Sequence, residues 1–456
     1  MAMVNELASF VVHATYDQLS EAARAQAKVR VLDSLGCAIA ALDAGVINTL
    51  ALQNAEFGGN PLCTQIGGEG TAPDRAAFYN SALVRYLDFN DSFLARGETC
   101  HPSDNLAAVL AACEYAGGSG RDLLTALAVA YQVHCRLSEV APVRARGFDH
   151  TTQGAYALAA GVARALNLDE AKTANAIAIA GTANNALRVT RTGLLSNWKG
   201  LAYPNTAMAA VHAAFLAMRG ITGPGEVFEG NKGFMDAIAG HFSLDWPREN
   251  LEKITETIVK RYNAEIHSQA TVEGVLELKH EHQLNPHSIQ AIDIETFEVA
   301  YNIIGGGEEG EKYTVRTKEE ADHSLPYIVA VALLDDQVLP DQYRPARIQK
   351  EDVQSLLRKV VICPRSDFSQ RFPHEMPCRI TITLQDGIQL INEKRDYEGF
   401  LTRPMHWHTA VNKFEGLTHS RISSIMQKML EEAVLNLETL KIRDFMQLLG
   451  GDHLKR

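Results

Sequence analysis

Four stretches of this 456-residue chain gather side chains able to move protons or hold anions. The first runs Asp88-Phe89-Asn90-Asp91-Ser92 and then Glu98 to Asn105, packing acids, amides, hydroxyls and His101 into one interhelical connection. Ser103 or Asp104 reads as an N-cap for a helix starting near Leu106. His101 falls just ahead of that helix start, where anions are favoured, and an imidazole there suits a substrate carboxylate or a proton shuttle. The second stretch, Arg146 to Thr152, also precedes a helix, with Thr151 or Thr152 as cap and His150 as either a site residue or a satisfied core or surface histidine. The third brings Arg188, Arg191 and Lys199 together with few acids nearby. It reads either as a solvated loop or as a carboxylate site, for which arginine's planar fork is suited. The fourth, Glu265 to Gln269, places His267 at the expected domain junction.

Other chemistries find no support in the sequence. There is no GxSxG elbow, no Walker A string and no HExxH. His406 and His408 flank Trp407 without a carboxylate at helical spacing, so they are set aside as a metal pair. Seven scattered cysteines without a CxxC pair read as free thiols rather than disulfides, zinc or an iron–sulfur site. A net charge of -12 argues against nucleic acid as a general partner, while leaving room for a local cationic pocket. The N-terminal stretch has neither a basic start nor an apolar run, and no apolar stretch of membrane-spanning length occurs. The expectation is a cytoplasmic protein.

The elements that must position these residues change texture along the chain. Residues 1 to about 260 read as helices: Leu106, Val109, Leu110 and Cys113 recur at helical spacing, as do Leu124, Leu127, Ala128 and Tyr131. Alanine-rich runs at 155–160 and 174–180 allow close helix packing, and Gly117 to Gly120 reads as a turn. Past about residue 255, Ile292 and Ile294 alternate with acids, and Ile380, Ile382 and Leu384 lead through Asp386-Gly387 to Ile388 and Leu390, a hairpin. His323 to Leu334 reads as helix. Gly305 to Gly310 reads as a surface loop or as one that orders over substrate. From about residue 405 the helical pattern returns, with Ile425, Met429, Leu430 and Ala433 on one face. The fold class is mainly α: a large all-helical domain from both chain ends (1–260 and 405–456), with a smaller α+β lid domain inserted between them (261–404).

Taken together, the clusters resemble the MmgE/PrpD family. The likeness is carried by YLDFNDSF, by HPSDN at 101–105, GFDH at 147–150, the lysine of NWKG, AEIHSQATVEG around His267 and ADHSLPYIVAVALL at 321–334. It implies metal-independent enzymes without a cofactor, commonly homodimers, with the site between a helical domain and an α+β lid. The family includes 2-methylcitrate dehydratase, cis-aconitate decarboxylase and an iminodisuccinate epimerase. By that resemblance the catalytic set is Asp88, His101, His150, Lys199 and His267, with Ser92, Arg188 and Arg191 binding substrate. The family often has Thr at Ser92 and Trp at Phe93. The stretches from Arg191 to Lys199 and from Gly305 to Thr317 also depart from its dehydratases.

The reaction so implied is dehydration of a small tricarboxylic acid, 2-methylcitrate to 2-methylaconitate. Proton loss beside a carboxylate builds charge that fixed cations or donors must hold, and expelling hydroxide requires a general acid. With no metal-ligand spacing in the chain, side chains are expected to supply both. His101 and His150 would share the proton work, Asp88 would orient one of them, Lys199, Arg188 and Arg191 would hold carboxylates, and His267 would close the site. Decarboxylation of cis-aconitate and epimerisation of an amino-dicarboxylate begin at the same kind of carbanion and are the alternatives. A non-catalytic helical binding protein is the alternative of another class.

Overall fold

The computed structural model describes residues 2–192 and 196–454. The chain divides into two compact units, Met1–Ile258 with His406–Arg456, and Val259–Met405.

The first unit is built from α1 (Met3–His13), α2 (Glu21–Ala40), α3 (Gly45–Phe57), α4 (Pro73–Tyr86), α5 (Leu106–Ala116), α6 (Gly120–Val140), α7 (Thr151–Ala165), α8 (Glu170–Ala183) and α9 (Trp198–Met218). Its centre is α7, which packs on α6, α8 and α9. Of its fifteen residues only Arg164 escapes burial, the mark of a helix enclosed on every side. Small residues make that possible. A methyl group added at Gly161 would lie 2.9 Å from the Ala130 side chain and 3.1 Å from the Ala126 carbonyl oxygen, so α6 and α7 meet nearly backbone to backbone. The expected turn lies between α5 and α6. Gly117 closes α5 in the left-handed region, φ 66°, and Ser119 and Asp122 cap the start of α6 reciprocally. Between α4 and α5 a short antiparallel pair, β1 (Asp91–Ala95) and β2 (Glu98–Cys100), pairs Phe93 with Cys100.

The second unit carries β3 (Ile289–Thr296), β4 (Val360–Pro364), β5 (Cys378–Leu384) and β6 (Gln389–Lys394), in the order β4-β3-β5-β6. β3 and β4 run parallel and the other pairs antiparallel. The expected hairpin is β5–β6, with Ile382 opposite Leu390 and Gly387 at φ 87° in the turn. Helix α10 (Gln269–Glu281) packs on β5 and β6, and against it lies the apolar α11 (Leu325–Asp335).

The chain then re-enters the first unit through α12 (Trp407–Thr418), α13 (Ser424–Leu435) and α14 (Ile442–Leu449). Helix α12 lies against α2. The apolar face expected for α13 is corrected in part: Leu430 and Ala433 are buried, but Ile425 is 73% and Met429 43% exposed, and Gln427 and Glu431 are buried instead. Gln427 caps the end of α12 by donating to the Glu415 carbonyl and the Thr418 hydroxyl, so polar pairing set the rotation of this helix. No single helix among the described residues is long and apolar enough to cross a membrane.

Candidate active site

The site grows from the end of α4. Asp88 has φ 52°, a left-handed conformation that aspartate tolerates better than most residues, and this turn sends the chain from α4 into β1. One buried cation organises the turn. The Arg85 guanidinium donates to Asp88 Oδ1 at 2.7 Å and to Asn90 Oδ1 at 3.2 Å and lies 3.6 Å from Asp104 Oδ2. The Asn90 amide donates in turn to Ser103 Oγ at 2.8 Å and Asp104 Oδ1 at 2.7 Å. Asp91 is buried, accepting from the Ser103 backbone at 2.9 Å and the Tyr131 hydroxyl at 2.7 Å. Burial pushes the Asp104 carboxyl up to about 6, against the pull of Arg85.

The capping roles expected of Ser103 and Asp104 are therefore overturned. A turn of 3-10 helix, Pro102–Asn105, precedes α5, which has no side-chain cap. Ser103 and Asp104 instead tie this turn back to Asn90 and Arg85. Thr151 and Thr152 do not cap α7 either; the Asp149 carboxylate accepts the Thr151 N–H at 3.2 Å.

His101 comes next. Its Nδ1 lies 2.8 Å from the Asp91 carbonyl oxygen and 3.1 Å from Ser92 Oγ. A carbonyl can only accept, so Nδ1 carries the proton and Nε2 is the basic nitrogen of the neutral ring. The Ser92 oxygen accepts a share of the same proton, which leaves its own O–H as a donor.

His150 faces His101 edge to face, ring centroids 5.4 Å apart. His150 also belongs to a buried ring stack: His134, His150 and Tyr203 lie pairwise at 5.7–6.0 Å. The Tyr203 hydroxyl donates to Asn105 Oδ1 at 2.9 Å. Gly154, one turn into α7, is where Tyr203 fits: an added methyl would sit 2.5 Å from its ring. Arg191 donates to His150 Nε2 at 2.9 Å and binds both oxygens of Asp149; Arg188 stands 3.8 Å from Asp149 Oδ2. His150 Nδ1 is buried and, among the described residues, finds no hydrogen-bond partner. Burial is the first cause holding His150 well below the usual histidine range, and the positive charge of Arg191 adds to it against the pull of Asp149. Asp149 stays ionised, since Arg191 and its other partners outweigh its burial. For His134, burial opposes the charged form, but Cys100 and Asp104 outweigh it and the net shift is upward.

Lys199, at the start of α9, reaches Asp88 Oδ2 at 3.6 Å. The structure thus brings Asp88, Ser92, His101, His150, Arg188, Arg191 and Lys199 onto the connections around α4, α5, α7 and α9 of the first unit. Gly193, within the cationic third stretch, lies outside the described residues. His267 belongs to the second unit, where its Nδ1 meets Glu265 Oε1 at 2.7 Å. Among the described residues, no group of three or more His, Cys, Asp or Glu side chains is arranged to hold a metal ion.

Residues 5–247 match the MmgE/PrpD N-terminal domain and residues 262–439 the MmgE/PrpD C-terminal domain. The chain belongs to the MmgE/PrpD family. The C-terminal family domain extends past the second compact unit into α12 and α13, which fold with the first. Among curated relatives, an alkylcitrate dehydratase of a fungal species is 26% identical, over 93% of this chain and 89% of its own. The 2-methylcitrate dehydratase of Salmonella typhi is 27% identical, over 82% and 80%. That of Yarrowia lipolytica, a mitochondrial protein, is 27% identical, over 85% and 78%.

Several residues of this family member escaped the sequence reading as parts of the site. Arg85 sits three residues before Asp88, helical spacing that a salt-bridge search could have caught. Asp149 adjoins His150 in plain view. His134 and Tyr203 lie inside apolar helices, and a polar ring in such a run was the available signal. Lys413, from α12, donates to the Phe89 carbonyl at 2.7 Å and pairs with Asp33 at 2.6 Å; nothing local in the sequence marks it.

Proposed function

We propose that this protein is a hydro-lyase that dehydrates an alkyl-substituted citrate, 2-methylcitrate in the first instance, to the corresponding aconitate. The observation that carries the reading is the pair of facing histidines with opposite hydrogen-bond constraints, set among Arg188, Arg191 and Lys199. His101, protonated at Nδ1, offers Nε2 as the base for the proton beside a substrate carboxylate. His150 is kept neutral with Nε2 engaged by Arg191, so it serves as a hydrogen-bond donor through Nδ1 to the charge that proton loss creates. The Ser92 O–H is a second donor. The departing hydroxyl needs a proton, and the ammonium of Lys199, held beside Asp88, is the cationic donor assigned to it. Asp88 then orders cations, Arg85 and Lys199, rather than a histidine. His267 is assigned to the same reaction on the family resemblance.

The names of the relatives support the substrate class: each dehydrates a citrate bearing an alkyl group. The reading includes a homodimer in the cytoplasm, and sedimentation at working concentration checks the first. The decisive assay follows ultraviolet absorbance of the new carbon–carbon double bond with purified, metal-stripped protein and racemic 2-methylcitrate. Absorbance should rise, and His101→Ala should slow it by about 10²- to 10⁴-fold, the contribution of one general acid–base group. A folded His101→Ala protein with full turnover would remove His101 from the mechanism. No rise with the parent protein would move the search to carbon dioxide release from cis-aconitate.

A further inference from the structure

The second unit holds His267 in an arrangement unlike that of His101 or His150 in the first. His267 lies in a single turn, Ile266–Ser268, just ahead of α10, and is 5% exposed. Both oxygens of Glu265 are spent on it. Oε1 is 2.7 Å from His267 Nδ1, and Oε2 accepts the His267 backbone N–H at 2.8 Å. Burial alone would raise the Glu265 carboxyl, but His267, then His323 and Lys260, draw it below the ordinary glutamate value. An ionised carboxylate only accepts, so the proton between them sits on His267 Nδ1.

The rest of the surroundings hold the ring in place. Phe297 and Phe372 stack on each other at 4.5 Å and meet the imidazole at 5.7 and 5.6 Å. The Glu265 backbone N–H donates to the Asp322 carbonyl at 3.2 Å, and the Asp322 carboxylate is itself taken up by Lys318 at 2.8 Å and by His323. A carboxylate serving only as an N-cap needs one oxygen. Here the second oxygen is aimed at the ring, the arrangement by which a carboxylate fixes a catalytic histidine's tautomer and orientation.

We propose that Glu265 is a positioning residue: it locks His267 in the Nδ1–H tautomer and in one ring orientation, so that Nε2 is the nitrogen presented to substrate. This rests on the reading that His267 serves the dehydration.

The test uses the full chain labelled with ¹⁵N-histidine, with His267→Gln identifying the His267 signals. The parent protein should show His267 as a single Nδ1–H tautomer. Glu265→Gln cannot accept at both positions, because one of its two terminal atoms is a donor. It should show mixed tautomers, a fall in kcat of roughly 10²-fold and little change in KM. Glu265→Asp, which keeps the charge, should recover part of both signals and serves as the working variant if the glutamine form fails to fold. Unchanged signals of the other histidines report an intact fold. A single Nδ1–H tautomer in Glu265→Gln, or kcat equal to the parent's, overturns the lock. Full turnover in His267→Gln instead overturns the catalytic reading of His267 itself, a result the tautomer spectrum does not depend on.

Discussion

Arg191 donates to Nε2 of His150 at 2.9 Å while the same guanidinium binds the Asp149 carboxylate. One cation therefore keeps the aspartate ionised, adds to burial in keeping the histidine neutral, and fixes which imidazole nitrogen carries the proton. Arg191→Lys should damage this arrangement despite keeping the charge, because a lysine cannot hold a fork across two acceptors. Arg191→Met removes the main partner of a buried carboxylate and should cost about 3–5 kcal/mol of stability. The double variant Arg191→Met/Asp149→Asn should lose much less than the two single losses summed. Urea unfolding of the four proteins measures the cycle, and additive losses would mean that the pair is not coupled.

The acid side of the stability curve should hide two opposing groups. His150 is held well below the usual histidine pKa, chiefly by burial. Below about pH 6.5 the unfolded chain takes up a proton there that the folded chain refuses, so stability falls as pH falls, by about 1.4 kcal/mol per pH unit at full effect. Asp104 does the reverse. Its folded pKa is raised to about 6 by burial, against about 3.9 when unfolded, so the folded chain binds the extra proton and stability rises as pH falls through that window. Between about pH 4 and 6 the two oppose each other. Asp104→Asn should unmask the loss and steepen acid unfolding, whereas His150→Asn should flatten or invert it. Urea midpoints taken across that range decide the matter, and identical slopes in all three proteins would refute both assignments.

Legibility in the sequence followed the range of the interactions. Helices α5, α6 and α7 were readable because their apolar spacing and their turn at Gly117 are local, and the β5–β6 hairpin because Asp386-Gly387 is. His101 and His150 were readable as candidates from type and setting, and the structure sets their rings 5.4 Å apart. What failed were judgments that depend on a partner far along the chain. Ser103 and Asp104 look like caps until Asn90 and Arg85 arrive to claim them. Ile425 and Met429 look like a core face until Gln427 and Glu431 take the buried side of α13. Arg188 and Arg191 were legible as a cationic cluster, but their shared contact with Asp149, from a separate connection of the chain, was not.

Ser92 shares the His101 Nδ1 proton with the Asp91 carbonyl and keeps its own hydrogen for another acceptor. Ser92→Thr retains the hydroxyl and should stay within a few-fold of the parent's kcat/KM. Ser92→Ala removes a hydrogen bond worth about 0.5–1.5 kcal/mol, so kcat/KM should fall by up to roughly tenfold. The carbonyl still holds the His101 tautomer, so the loss should fall well short of that in His101→Ala. Steady-state kinetics of the three variants give the order, and Ser92→Ala as damaged as His101→Ala would give the hydroxyl a direct role in the proton transfer.

Lys413 ties the returning chain to the first unit after residue 405. From α12 its ammonium reaches Asp33 on α2 at 2.6 Å and the Phe89 carbonyl at 2.7 Å, and it lies 3.7 Å from the centre of the Phe89 ring. It thereby pins the connection between Asp88 and Asn90 from behind. Burial raises the Asp33 carboxyl, and Lys413 is the leading group that draws it back. Lys413→Met leaves an acid buried without that cation and should cost about 3–5 kcal/mol. Lys413→Met/Asp33→Asn should recover most of that stability while still lacking the bond to the Phe89 carbonyl. If that bond positions the loop, the restored double variant stays slow in kcat; parental turnover in it would show that the lysine acts through stability alone.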